Sequence, residues 1–307
     1  MRVFLTGARG MLGQHVLRNL EAKGHDVLAP SRNELDLTDG AATFKFIEET
    51  KPDAVVHCAA VVGGIQANIL GGGKFLTENL TIDHSVIFSA KKSNVPNFIY
   101  LGSSCMYPAN RLDALKIKDI LSGELEPTNA SYALAKISGA KAVEAFDSDP
   151  NLNWKVFIAS NLYGPFDHFD PDRSHLLAAI ILKVSKAIES GASEILMWGD
   201  GEVKREFTYV GDLAGWIVES LPNLVDYPSM LNVGCGVDYT VREFYEIVMQ
   251  VLGYKGKIVA DPTKPNGNLR KLMDSSVARS LGWDPGTNLG EGILETHNWW
   301  VESKANG

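Results

Sequence analysis

Ser103-Ser104-Cys105 sets two hydroxyls beside a thiol, and Tyr132 and Lys136 set a phenol four residues before an ammonium. The types suit acid–base work on a bound ligand. Four residues along a helix return to the same face, so the Tyr-x-x-x-Lys pair is expected side by side. Cys105 follows Ser103 by two positions; in an extended segment alternate residues point the same way, which would turn thiol and hydroxyl toward one ligand. The run 97–101 before them is apolar and rich in aromatic and β-branched residues, the pattern of a short buried strand. It breaks at Gly102. A parallel strand ending there delivers these groups to the carboxyl edge of a sheet, where open α/β sheets bind ligands.

The elements that must position a cofactor there begin at the N-terminus. Residues 2–6 read as a strand, Gly7-Ala-Arg-Gly-Met-Leu-Gly13 follows, and residues 14–23 keep helical period before Gly24. Glycines let the backbone turn tightly and approach a pyrophosphate, which then rests on the helix N-terminus. The spacing is Gly-x-x-Gly-x-x-Gly, and the strand before and helix after supply the context the motif requires. Gly7, Arg9, Gly10, Met11, Leu12 and Gly13 are the expected cofactor contacts. The next strand covers 26–29. It ends in Pro30-Ser31-Arg32-Asn33 without a carboxylate before Glu34, where an NAD site would hold ribose with an acid. Arg32, with Arg9 from the glycine loop, suits a 2′-phosphate and points to NADP(H).

Strand and helix patterns then alternate. A helix is expected over 42–49, a strand over 53–57, a small-residue loop over 58–64, a flexible Gly71-Gly72-Gly73 linker and a long helix over 78–93. His57 and His84 are expected in structural roles. Beyond the Tyr132 helix, 154–160 reads as a strand closed by Asn161-Leu-Tyr-Gly-Pro165. A polar loop over 166–173 follows, and Ser174 is placed to cap a helix through 186. Further strands are expected at 195–198, 231–234 and 257–260, a turn at 264–267, a basic pair at 270–271 and a last helix over 290–301. The fold expected is α/β: a Rossmann-like doubly wound parallel sheet over residues 1–165, and a smaller C-terminal α/β substrate lobe over 166–307, with part of 205–235 returning to the first.

Composition sets limits. The chain has 307 residues, 45% hydrophobic and 21% charged, with a net charge of −8. It has no Lys/Arg run that would track nucleic acid and no apolar stretch long enough for a membrane span. Cys58, Cys105 and Cys235 are odd in number and lack metal-ligand spacing, so reduced thiols are expected and no metal site. With a strand beginning almost at Met1, which leaves no room for a signal peptide, the expected location is the cytoplasm.

Together these motifs resemble the extended short-chain dehydrogenase/reductase family, and within it the branch that epimerises and reduces GDP-linked 4-keto-deoxy sugars. The likeness runs through Val62-Gly-Gly-Ile65, Leu101–Pro108, Leu125–Asn129 with Tyr132–Lys136, Asn161–Pro165, Ser174-His175 and Arg205–Phe207. It implies a Ser103, Tyr132, Lys136 reductase triad, with Cys105 and His175 as base and acid of an epimerisation. Leu101, Gly102, Lys136, Asn161, Leu162 and His175 would border the cofactor. Lys183, Trp198, Arg205, Lys271 and Asp274 would line the nucleotide-sugar site. It also implies a homodimer through the two long helices near the central strands. The departures are the Gly71–Gly73 run, Gly211 where an acid is usual, and Ser131 where proline often precedes Tyr132. The alternatives are a reductase or epimerase-reductase for a related GDP-4-keto dideoxy or deoxyheptose sugar, and a non-catalytic NADP-sensing protein.

The implied chemistry is coherent. A ketone at C4 acidifies the protons at C3 and C5, because the carbanion is an enolate. Cys105 as thiolate would take one and His175 as imidazolium would return one on the other face. Ser103 and Tyr132 would hold the C4 oxygen through enolate and alkoxide. Lys136 would lower the pKa of Tyr132.

Overall fold

In the computed structural model, which describes residues 1–63, 65–170, 174–263 and 268–305 (for 65–67 and 69 the backbone only), the chain opens with β1 (Arg2–Thr6), α1 (Met11–Ala22), β2 (Asp26–Leu28), α2 (Gly40–Thr50) and β3 (Ala54–His57). Next come α3 (Ile65–Lys92), β4 (Asn97–Ser103), α4 (Ala130–Phe146), β5 (Asn153–Ala159) and β6 (Asn161–Tyr163). The remainder holds α5 (Leu176–Ser190), β7 (Glu194–Trp198), β8 (Lys204–Tyr209), α6 (Val210–Ser220), β9 (Met230–Val233) and β10 (Asp238–Thr240). It ends with α7 (Val241–Leu252), β11 (Lys257–Asp261), β12 (Arg270–Lys271), α8 (Ser276–Ser280) and α9 (Leu289–Ala305).

Six parallel strands form one sheet in the order β2-β1-β3-β4-β5-β9. Period-two alternation loads both faces. Phe4, Val55, Phe98, Tyr100, Val156 and Ile158 point to α2, α3 and α4, while Val3, Leu5, Val56, Ile99, Leu101 and Phe157 point to α1 and α6. Burying each such side chain contributes about 1.5–3 kcal/mol. The sheet is doubly wound, and the order of its strands reverses between β1 and β3. That reversal opens a crevice beyond their carboxyl ends, the place where open α/β sheets take ligands.

β8 is the hub of a second, smaller sheet. It pairs with β10 antiparallel, β12 parallel and β6 parallel. β7 and β11 form a separate parallel pair. α5, α7 and α9 cover these strands in a third core of Leu177, Ile181, Phe207, Phe244, Tyr245 and Ile293.

Three local expectations fail. Gly71–Gly73 is no linker: it lies inside α3, which kinks at Gly71 (φ −115°, ψ 19°). Glycine weakens a helix by about 1 kcal/mol per residue, which packing overrides here. A Cβ on Gly72 would sit 3.1 Å from Oγ of Ser131, so its absence lets α3 close on the start of α4. Ser174 does not cap α5. Its hydroxyl accepts the Asp170 N–H at 2.7 Å and faces the His168 carbonyl at 2.7 Å, and His175 is the N-cap residue. Asn161–Pro165 does more than close β5, because residues 161–163 form β6 against β8. The expected turn at 264–267 and Gly64 of the 58–64 loop lie outside the described residues, as do the last three residues of the 166–173 loop.

Candidate active site

One cavity of about 820 Å³ runs from the glycine loop to the second sheet. Gly7 turns at φ +68°, and a Cβ there would lie 2.7 Å from the backbone N of Ala59, so β1 and the β3 exit pack too tightly for any side chain. A Cβ on Gly13 would lie 2.0 Å from the Gly7 carbonyl, which lets α1 start hard against the loop. Gly10 differs: only the Gly7 oxygen, at 3.4 Å, would meet its Cβ. It caps α1 without a side-chain bond and lines the cavity, so the first N–H groups of the helix face an anion-sized space. Arg9, Met11, Leu12 and Arg32 border the same end. Arg32 is 69% exposed and its Nη2 lies 3.1 Å from Glu78.

Leu101, Gly102 and Ser103 at the end of β4 form the middle of the wall, with Tyr132, Lys136, Asn161 and Leu162. Ser103 and Cys105 both line it, but not by alternation along an extended strand. Ser104–Met106 is a 3-10 turn, capped by the Ser103 hydroxyl accepting the Cys105 N–H at 3.3 Å. The turn, not the pleat, swings the thiol into the cavity. Cys105 Sγ lies 3.4 Å from Nδ2 of Asn129 and 3.7 Å from Nζ of Lys271. Both nitrogens can donate to the sulfur. Cys58 lines the wall too, but burial pushes its thiol up to about 12.

Burial raises the Tyr132 phenol well above its usual range, with Cys105 and Asp83 adding to the rise and Ser103 opposing it. Burial sets the direction, so the Tyr132 pKa rises where the helix spacing from Lys136 pointed to a fall. Nζ of Lys136 lies 4.0 Å over the Tyr100 ring, and burial lowers its pKa against the pull of Asp83.

His175 also lines the cavity, Nδ1 3.1 Å from Oδ1 of Asp167. That bond raises the imidazole pKa, outweighing burial. Arg205 on β8 and Lys271 on β12 are partners in register, so two cations stand side by side at the cavity wall. Like charges directly opposite on neighbouring strands repel. An anion between them relieves this, and Glu126 adds negative charge near Arg205. Lys183 reaches Leu196 O at 3.1 Å and Tyr245 Oη at 3.2 Å, and lies 5.2 Å from the Trp198 ring.

Every expected site residue but one lines this cavity. Asp274 does not: its carboxylate accepts the Ser276 N–H at 3.1 Å at the start of α8. Asn129, Asp167, Glu126 and Tyr245 belong to the site and were not singled out. Asp167 sits in a loop whose polarity reads as solvated surface, and only the fold folds it back under His175.

Residues 3–234 match the NAD dependent epimerase/dehydratase family. The chain is 42% identical over 307 residues to a GDP-L-colitose synthase of Yersinia pseudotuberculosis, covering all of both chains. It is 43% identical over 302 residues to a GDP-L-fucose synthase of Azorhizobium caulinodans, covering 98% of this chain and 96% of that one. Among solved structures, a GDP-mannoheptose C4 reductase from Campylobacter jejuni with NADP bound superposes with a TM-score of 0.88 at 30% identity, covering 98% of each chain. With the glycine loop, the Ser103–Tyr132–Lys136 wall and a match spanning the whole doubly wound sheet, the chain belongs to the NAD dependent epimerase/dehydratase family.

Proposed function

We propose that this chain is an NADPH-dependent epimerase and 4-reductase converting GDP-4-keto-6-deoxy-D-mannose to GDP-L-fucose. The observation that carries the reading is that two sets of groups line one cavity: Ser103, Tyr132 and Lys136 for the carbonyl oxygen, and Cys105 with His175 for carbon-bound protons. The GDP-L-fucose synthase relatives support it.

The residues fit NADP(H): the α1 N-terminus is free of a side-chain cap at Gly10, and Arg9 and Arg32, which line the same cavity, would take the 2′-phosphate. Bound there, NADPH supplies the hydride to C4. Arg205, Lys271 and Lys183 hold the diphosphate, and Trp198 offers a ring face. Ser103 and Tyr132 bind the C4 oxygen. Cys105 Sγ, with the Asn129 and Lys271 nitrogens beside it, removes the proton from the neighbouring carbon, and His175 returns a proton on the other face. The oxygen stays in one place throughout, so one set of donors serves enolate and alkoxide.

A 1–165 cofactor lobe and a 166–307 sugar lobe, the latter lending β9 and α6 back to the large sheet, fit this division of labour. A homodimer through α3 and α4 is part of the reading; Phe88, 53% exposed, and Leu134, 47% exposed, point outward from those helices. The proposed location is the cytoplasm; among the described residues no helix is long and apolar enough to cross a membrane.

A second reading, a related GDP-4-keto sugar on the route to GDP-L-colitose or a GDP-deoxyheptose, is favoured by the colitose synthase relative and the heptose reductase structure. A panel of GDP-4-keto sugars with NADPH, each product identified by NMR, decides. Turnover of the 6-deoxymannose compound to the L-fucose product supports the first reading. Turnover of only a dideoxy or heptose substrate supports the second, and no turnover of any leaves a cofactor-binding protein.

A further inference from the structure

Beneath Lys136 lies a cluster of buried polar groups that the proposed chemistry does not use. Asp83 on α3 is 2% exposed, His57 and Tyr100 are 0%, and Lys136 is 3%. Oδ1 of Asp83 lies 3.0 Å from Nε2 of His57, and Oδ2 accepts the Tyr100 hydroxyl at 2.5 Å. Nδ1 of His57 lies 2.7 Å from Oγ1 of Thr6, which also accepts the Ala59 N–H at 3.1 Å.

The protons in this chain can be assigned by exclusion. An ionised carboxylate only accepts, so the proton of a neutral His57 ring sits on Nε2. Nδ1 is then an acceptor, the Thr6 hydroxyl donates to it, and the remaining Thr6 lone pairs take the Ala59 N–H. Burial favours the neutral ring, in agreement. Asp83 thus receives two neutral donors and keeps its full negative charge. A buried charge needs a partner, and Lys136 is joined to it through Tyr100: its Nζ lies 4.0 Å over the ring whose hydroxyl Asp83 holds, and its charge draws the Asp83 pKa down. Gly139, one turn on from Lys136, is what lets the cluster close: a Cβ there would lie 2.4 Å from the Tyr100 hydroxyl and 2.9 Å from Oδ2 of Asp83.

We propose that Asp83 is a positioning residue, the buried counter-ion that keeps Lys136 protonated and fixed beneath the active site. Through His57 and Thr6 it also ties that lysine to the start of the glycine loop, since Gly7 follows Thr6. This rests on the reading that Lys136 serves NADPH binding and hydride transfer. The titratable groups around Asp83 are His57 from β3, Tyr100 from β4, and Lys136 and Tyr132 from α4, with Cys58 facing Lys136 from the β3 exit.

The test compares Asp83→Asn and Tyr100→Phe with the unaltered protein. Two pH profiles are recorded: the affinity for NADP⁺, and kcat/KM for NADPH-dependent reduction of GDP-4-keto-6-deoxymannose. Both should fall as pH rises through the Lys136 pKa. Loss of the carboxylate in Asp83→Asn should move that limb to lower pH by about one unit or more. Loss of the Tyr100 donor leaves the carboxylate charge less shared, so Tyr100→Phe should move the limb to higher pH. A merely structural role predicts no such opposed pair. If both folded variants keep the limb of the unaltered protein, the proposal is overturned. If Asp83→Asn fails to fold, Tyr100→Phe alone decides by the direction of its limb, an unmoved or lowered limb counting against. Lys136→Met separates the two levels. If it retains hydride transfer and NADP⁺ affinity, the reading of Lys136 fails. If it loses them while Asp83→Asn titrates like the unaltered protein, only the role of Asp83 fails.

Discussion

Oδ1 of Asp167 lies 3.1 Å from Nδ1 of His175, and that bond leaves Nε2 as the ring nitrogen free for a ligand. Asp167 is 5% exposed and its Oδ1 also accepts the His168 N–H at 2.8 Å, so the carboxylate is fixed before it meets the imidazole. The bond raises the His175 pKa and holds the ring protonated to higher pH. Proton return to the sugar needs the imidazolium, so the high-pH limb of epimerisation should follow His175, with activity fading as pH rises through its raised pKa. In Asp167→Asn that limb should fall to lower pH by about one unit. The measurement is the pH dependence of deuterium uptake at C3 and C5 from heavy water. An unchanged limb in a folded variant would remove Asp167 from the mechanism.

Arg32 should decide between the two nicotinamide cofactors. It is mostly exposed, and its pair with Glu78 is a surface ion pair worth little by itself. It can therefore turn to a 2′-phosphate at small cost. Charge-assisted hydrogen bonds contribute about 1.5–3 kcal/mol, so Arg32→Ala should weaken NADPH roughly ten- to a hundredfold and leave NADH nearly untouched. Titration of both cofactors by fluorescence checks this, and equal losses would count against the assignment.

Cys105 should separate the two reactions. Serine keeps the size of Cys105 but replaces the thiol by a hydroxyl, a far weaker acid. Deuterium uptake at C3 and C5 should drop by about 10² or more. Reduction, which uses Ser103, Tyr132 and Lys136, should continue, and NMR should find the product shifted from the L-configured sugar toward the D-configured one. Uptake at the rate of the unaltered protein would show that Cys105 is not the base.

Glu206 should make stability fall with pH. It is fully buried behind Arg205 and accepts N–H bonds from Gly236 at 2.6 Å and Met273 at 2.8 Å. Gly234 makes room for it, since a Cβ there would lie 2.3 Å from Oε1. Burial raises its pKa from 4.5 to about 7. Between those values the folded protein binds a proton that the unfolded chain has lost, so unfolding free energy falls as pH rises, by about 3 kcal/mol in all. Denaturant unfolding from pH 4.5 to 7.5 should show this slope in the unaltered protein and its loss in Glu206→Gln.

The sequence carried the first sheet almost whole. The strand runs of β1, β3, β4 and β5 are short, apolar and bounded by polar breaks, and period-two burial on both faces leaves such runs little other choice. It also carried which groups line the cavity, since Gly7, Gly10, Gly13, Ser103, Cys105, Tyr132 and Lys136 all border it. What depended on distant chain was invisible. Gly71–Gly73 reads as a break by propensity, yet packing of Gly72 on Ser131 keeps it helical. The 3-10 turn that aims Cys105 replaces the extended path that alternation implies. Asp167 meets His175 only across a folded loop, and Arg205 meets Lys271 only because β12 pairs with β8 in that register. The state of the Tyr132 phenol was set by burial and by Cys105 and Asp83, groups distant from it in the chain. Local spacing determines which groups share a face; the dielectric around them, and the charge each one faces, exist only after the sheet, its helices and the second lobe have closed on one another.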